Sequence, residues 1–165
     1  MFRILCFNPV VMNRFPSPIN IYIAVNVSNI GVCHGGSAAV LEYRGFVKEV
    51  LSYGTGFNYY DHILMICTQA LETLKYSGLT VVIHTNNKAF IGNFNDGSMR
   101  RRINGRNFDA SDEYEALRAR LCKAAAGFDA SACYDAGFSP YASRARHLAK
   151  LERLKSESVV RESVR

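Results

Sequence analysis

INIYIAVNVSNIGVCHGGSAAVLEYRG, residues 19–45, is the stretch on which the rest of the chain is organised. Ile19, Ile21, Ile23 and Val25 alternate with Asn20, Tyr22, Ala24 and Asn26, the period of two expected of a strand with one face in a core. Asn29, Gly31, Gly35 and Gly36 read as a turn, because glycine accepts the positive φ that a reversal demands. Ala38 to Tyr43 returns as a second apolar and aromatic strand and stops at Arg44-Gly45.

Working outward, Phe46 to Tyr53 reads as a third strand, and Phe2 to Phe7 as a short additional one ahead of the Pro16-Ser17-Pro18 turn. Tyr60 to Tyr76 carries the strongest helical stripe, with Ile63, Leu64, Ile66, Cys67, Ala70, Leu71 and Leu74 at three- and four-residue spacing and Ser77-Gly78 to close it. Leu79 to Thr85 is nearly all apolar, as suits a strand covered on both faces. Ser111 or Asp109 is placed to cap a helix to about Ala126, Asp129 to Phe138 fits a last strand, and Pro140 starts a final helix to about Lys155.

The return strand GGSAAVLEYRG, Gly35 to Gly45, resembles the GGYGAILRYRG pattern of the ribonuclease H family, and Gln69 to Lys75, QALETLK, resembles the end of that family's first long helix. The resemblance implies an α/β domain over residues 19–155: a mixed five-stranded sheet, its first three strands antiparallel and the others parallel, with helices on both faces. Residues 1–18 are then an N-terminal extension, and residues 156–165 a basic tail expected to be frayed or disordered for want of an apolar stripe after Leu154.

The same resemblance implies a lost metal site. Where the family's first strand ends in Asp-Gly-Ser, this chain reads Asn26-Val27-Ser28, and a Thr-Asp-Ser-like turn is replaced by Thr85-Asn86-Asn87. The family's helix glutamate falls near Ile63, with Asp61 the nearest acid but on another side of the helix. On the last helix Arg146 takes the aspartate position, and the family's loop histidine falls near Phe138. Cleavage in that family uses two Mg²⁺ ions about 4 Å apart, whose mutual repulsion carboxylates must neutralise. Two amides and a guanidinium cannot do so, and the expectation is a site with no metal, no cofactor and no catalysis.

Composition points to an anionic partner. The 165 residues are 48% hydrophobic and 21% charged, enough for one sizeable core, and the net charge is +6. Five scattered cysteines without a CxxC pair read as small hydrophobes in a reducing compartment, the cytoplasm, and no targeting segment or membrane span is recognisable. Asn26, Asn86, Asn87 and Arg146 are expected to crowd the place where the family grips a phosphate; Arg100, Arg101, Arg102 and Arg106 form a glycine-flanked basic loop, and Arg144 and Lys150 belong to a basic C-terminal helix.

The leading expectation is a non-catalytic RNA-binding protein that grips the backbone of single-stranded RNA or a hybrid, with Tyr22, Tyr59, Tyr60, Phe90 or Phe94 able to stack bases where exposed. A virus- or phage-encoded binder of messenger RNA, in the cytoplasm of an infected cell, is one setting where such a protein makes sense. Two alternatives stand beside it: a metal-dependent nuclease with relocated acids at Asp61, Asp129 or Asp135, and a module for protein interaction or self-association.

Overall fold

In the computed structural model the strands β1 (Ile19–Ser28), β2 (His34–Tyr43) and β3 (Phe46–Thr55) form an antiparallel meander. The structure describes residues 17–28, 33–100 and 112–163. The expected Phe2–Phe7 strand, the Asn29 and Gly31 turn residues, the Ser111 or Asp109 cap and Arg101, Arg102 and Arg106 lie outside the described residues. Arg44 and Gly45 both adopt positive φ, 50° and 85°, so β2 and β3 join through a two-residue turn whose twist matches that of the strands.

β4 (Thr80–Thr85) and β5 (Asp129–Tyr134) add to β1 in parallel, giving the sheet order β3-β2-β1-β4-β5. Among the described residues four helices flank the sheet: α1 (Tyr59–Glu72), α2 (Lys88–Asn95), α3 (Asp112–Ala125) and α4 (Pro140–Ser163). This is the mixed sheet, three strands antiparallel and then parallel, that the sequence led us to expect. Among the described residues no helix is long and apolar enough to cross a membrane.

Strand alternation sorts the side chains into two cores. Ile19, Ile21, Ile23, Ala39 and Leu41 point to one face, where α1 covers them with Ile63, Leu64, Ile66 and Leu71. Ala38 and Val40 point to the other, against Ala145, Leu148 and Ala149 of α4. α1 starts where Asn58 accepts from the amides of Tyr60 and Asp61 at 2.8 and 3.0 Å while Asp61 accepts from the Asn58 amide at 3.1 Å, a reciprocal cap that satisfies the first free donors.

Four sequence expectations change. Gly35 and Gly36 are not turn residues but lie inside β2, and they are required for close approach. A Cβ on Gly35 would sit 1.9 Å from Nε2 of His62 on α1, and one on Gly36 would sit 2.1 Å from the Arg153 backbone nitrogen of α4. α4 continues to Ser163 instead of ending near Lys155, so 156–163 is helix and not a frayed tail. Packing decides this: Ser156 is buried and donates to the Gly54 carbonyl at 2.9 Å, an anchor that no stripe of apolar residues announces. β5 ends at Tyr134, before Phe138, and α1 ends at Glu72, before Tyr76.

Candidate nucleic-acid interface at the ends of β1, β4 and β5

Because β1, β4 and β5 run parallel, their carboxyl ends reach one edge of the sheet, where open α/β sheets bind ligands. A pocket there is lined by Ala24, Tyr59, His84, Asn86, Asp135 and Arg146, among others. Asn86 is exposed at the end of β4, and its Oδ1 accepts from the Tyr59 hydroxyl at 3.3 Å. Burial raises the Tyr59 phenol above its ordinary pKa, so it stays a donor at neutral pH. Asp135 accepts from the Gly137 amide, and its own amide donates to the Thr85 carbonyl at 3.0 Å, which ties β5 to β4 where they part.

Arg146, near the start of α4, closes the pocket from the other side. Its guanidinium donates to the Gly137 carbonyl and to Ser143 Oγ at 3.4 Å. Gly137 has φ of 87°, and a Cβ on it would lie 2.7 Å from Arg146 Cζ, so the β5–α4 loop is shaped around this arginine. Part of the guanidinium is therefore spent on the loop, and the rest faces the pocket, where it can meet an anion.

The structure brings together some of the expected site residues and not others. Asn86 and Arg146 share the pocket, but Asn26 does not line it. Extending the register Tyr22↔His84 by two residues places Ala24, not Asn26, beside Asn86. A slip of two keeps the same face of a strand, so alternation alone could not expose it. Asn87 accepts from the Phe90 amide at 2.8 Å as the cap of α2, and so serves the helix. Arg144 points to the other edge and pairs with Glu49 of β3 at 2.8 Å, while Lys150 is exposed one turn beyond Arg146. Arg100 ends a short 3₁₀ turn, Ser98–Arg100, which is fastened to α3 where Arg118 donates to the Met99 carbonyl at 2.6 Å.

No protein-family model matches the sequence, and neither does any curated protein. Solved structures do. LC9-RNase H1, a type 1 enzyme with the type 2 active-site motif, superposes with a TM-score of 0.69 at 18% identity over 86% of this chain and 74% of its own. RNase H1 from the halophilic archaeon Halobacterium salinarum NRC-1 gives 0.60 at 16% identity over 84% of this chain and 98% of its own. The chain has a ribonuclease H-like fold. LC11-RNase H1, solved in complex with RNA/DNA hybrid, gives 0.59 at 14% identity over 83% of this chain and 97% of its own.

Within this ribonuclease H-like fold the three alternative acids do not converge. Asp135 lines the pocket, Asp61 is engaged in the cap of α1, and Asp129 lies at the opposite end of β5. Six residues of strand at about 3.3 Å each set Asp129 and Asp135 ~20 Å apart. Among the described residues no group of three His, Cys, Asp or Glu is placed to hold a metal ion. Ile63, at the expected glutamate position, is buried in the core, and Phe138 is 91% exposed in the β5–α4 loop. Of the aromatic candidates, Phe90 is fully buried and Tyr22 stacks on His84, whereas Tyr59 is 38% exposed at the pocket. Sequence reasoning missed His84 at this site. It stands two residues before Asn86 and thus on the same face of β4, a signal that the period of two does carry.

Proposed function

We propose that the protein binds nucleic acid without cleaving it, taking single-stranded RNA or an RNA–DNA hybrid by the backbone across the carboxyl ends of β1, β4 and β5. The observation that carries this reading is the composition of that pocket: Asn86 and Arg146 stand where the ribonuclease H resemblance expects carboxylates, Ala24 lines it with them, and Asp135 is the sole carboxylate among the described lining residues. An amide and a guanidinium suit a phosphate oxygen directly, whereas a pair of Mg²⁺ ions needs several carboxylates. The net charge of +6 and the hybrid bound by a protein of like fold support the same partner.

The test is the anisotropy of labelled mixed-sequence RNA and RNA–DNA hybrid, titrated at several salt concentrations, with Mg²⁺ or Mn²⁺ added in parallel to look for cleavage. Binding is expected to weaken with salt, about 0.7 log units per log unit of salt for each phosphate neutralised on a single strand. Replacing Arg100, Arg101 and Arg102 by Ala then flattens the slope by up to roughly 2 units. Metal-dependent hydrolysis lost in Asp135→Asn would instead establish a nuclease with relocated acids. No RNA binding at low salt would favour a protein-interaction module.

A further inference from the structure

On the α4 side of the sheet, Tyr22, His84 and Cys133 stand side by side on three neighbouring strands, since the register pairs Tyr22 with His84 and His84 with Cys133. α4 lies over β1, β2 and β3, and out toward β5 both His84 and Cys133 are only half-buried. The Cys133 sulfur is 3.2 Å from His84 Nδ1, and His84 Nε2 is 2.9 Å from Asn20 Oδ1. Asn20 Nδ2 in turn donates to Glu42 Oε2 at 3.0 Å, while Glu42 Oε1 accepts from the Gly45 amide at 3.0 Å.

This chain of bonds assigns the protons. The Glu42 carboxylate only accepts, so Asn20 turns its NH₂ toward it and its Oδ1 toward the imidazole. That oxygen also only accepts, so the His84 hydrogen sits on Nε2 and the lone pair of Nδ1 faces the Cys133 thiol. Tyr22 stacks on the ring at 4.4 Å and 14°, which holds its plane. A nucleophile, a base in the accepting tautomer and a group that orients the base are the parts of covalent catalysis, and the set recurs on unrelated folds.

We propose that Cys133, His84 and Asn20 form a nucleophile–base–orienter triad at which Cys133 takes up an acyl group from a small thioester. In the exchange the Cys133 sulfur bonds to the carbonyl carbon as its proton passes to His84 Nδ1. The bond from that carbon to the departing sulfur then breaks, and the departing thiolate takes the proton from Nδ1. The products are acyl-Cys133 and a free thiol, with His84 back in its starting tautomer. A thioester suits the site because one thiol replaces another, so atoms and charge balance without any further reactant. Burial raises the Cys133 thiol and lowers the His84 imidazole, with the nearby Asp135 charge acting upward on both. The pair therefore rests as thiol and neutral imidazole at neutral pH, and the proton moves during the attack and not before it. Asn20 is a positioning residue, since it acts through the histidine.

The experiment is to incubate the full chain with the acetyl thioester of N-acetylcysteamine and follow acetylation of each cysteine by peptide mass spectrometry. Cys33 and Cys122, also half-buried cysteines, are internal controls. Cys133 is expected to acetylate at least about tenfold faster than either, a small part of what a placed base supplies. His84→Gln should bring it down to the rate of Cys122. Asn20→Leu should slow it, and the exchange Asn20→Asp with Glu42→Gln should restore it, because a carboxylate then accepts from Nε2 and an amide donates to that carboxylate. A Cys133 rate in the unaltered chain no higher than that of Cys122 overturns the proposal, as does an unchanged rate in a folded His84→Gln. The comparison among cysteines needs no variant, so it stands whatever a substitution does to folding.

Discussion

The two faces of the sheet are built from alternate residues of the same strands and have opposite characters. On the α1 face Ile21, Ile63, Leu64, Ile66 and Ile83 are all fully buried, and the core extends from β3 to β5 with α1, α2 and α3 over it. On the α4 face the apolar contact is confined to a small cluster on β1 and β2, and beyond it comes a polar row, Asn20, His84 and Cys133, with Tyr22 and Tyr141 at its border. One face is closed by α1, α2 and α3 and does the holding; the other is covered by α4 and leaves room for chemistry. The polar row is satisfied across the strands, whereas on the closed face the His62 ring nitrogens and Ser37 Oγ are buried without a hydrogen-bond partner among the described residues and lose their hydration uncompensated.

The sharpest way to break this contrast is to cut into the closed face. Leu64→Ala should lose about 2–5 kcal/mol of stability through the removed contacts and the cavity left behind, measured by denaturant unfolding. His84→Gln on the open face should leave the denaturation midpoint close to that of the unaltered chain. Equal losses from the two would mean that the open face is as much a core as the closed one.

Next in size is the place where α4 touches the sheet. Gly36→Ala puts a methyl 2.1 Å from the Arg153 backbone nitrogen and 2.3 Å from the Ala149 carbonyl, neither of which is a flexible side-chain end. Displacing the helix should cost roughly 1–3 kcal/mol, read as a lowered Tm. An unchanged Tm would show that α4 is held loosely enough to shift.

A smaller effect should follow pH. Burial holds His62 below its ordinary pKa of 6.5 against an opposing pull from Asp61, and holds His84 below the same value. Both ring nitrogens of His62 are buried without a hydrogen-bond partner among the described residues. As pH falls below about 6.5 the unfolded chain takes up protons that the folded chain resists, so stability drops with falling pH. Urea midpoints between pH 7.5 and 5 should decline in the unaltered chain and decline less in His62→Leu. Identical profiles would assign the pH dependence elsewhere. Smallest of all, Arg144→Ala should leave the Tm within error, because its pair with Glu49 is solvated and screened.

Much of the architecture was legible in local pattern. The alternation from Ile19 to Val25, the return through Ala38 to Tyr43, the Arg44-Gly45 turn and the apolar stripe of α1 each follow from bonds and side chains within a few residues of one another. Strand period and turn chemistry are properties of short segments, and they survive in any fold that accepts the segment. The resemblance to ribonuclease H added the strand directions, three antiparallel and the others parallel, and the structure has them.

What the tertiary structure alone decided is which residues meet. Ala24 rather than Asn26 faces Asn86 because the offset between β1 and β4 is set by packing across a parallel pair whose connection runs through β2, β3 and α1. Gly35 and Gly36 are small because helices press on β2 from both sides, and not because the chain turns there. The last turns of α4 are anchored where a buried serine bonds to a carbonyl 102 positions away. Asn20, His84 and Cys133 are joined because β4 lies between β1 and β5, a neighbourhood that no local pattern encodes. Contacts between residues far apart in sequence are chosen by the whole core at once, since only the assembled sheet determines how each strand is offset against the next.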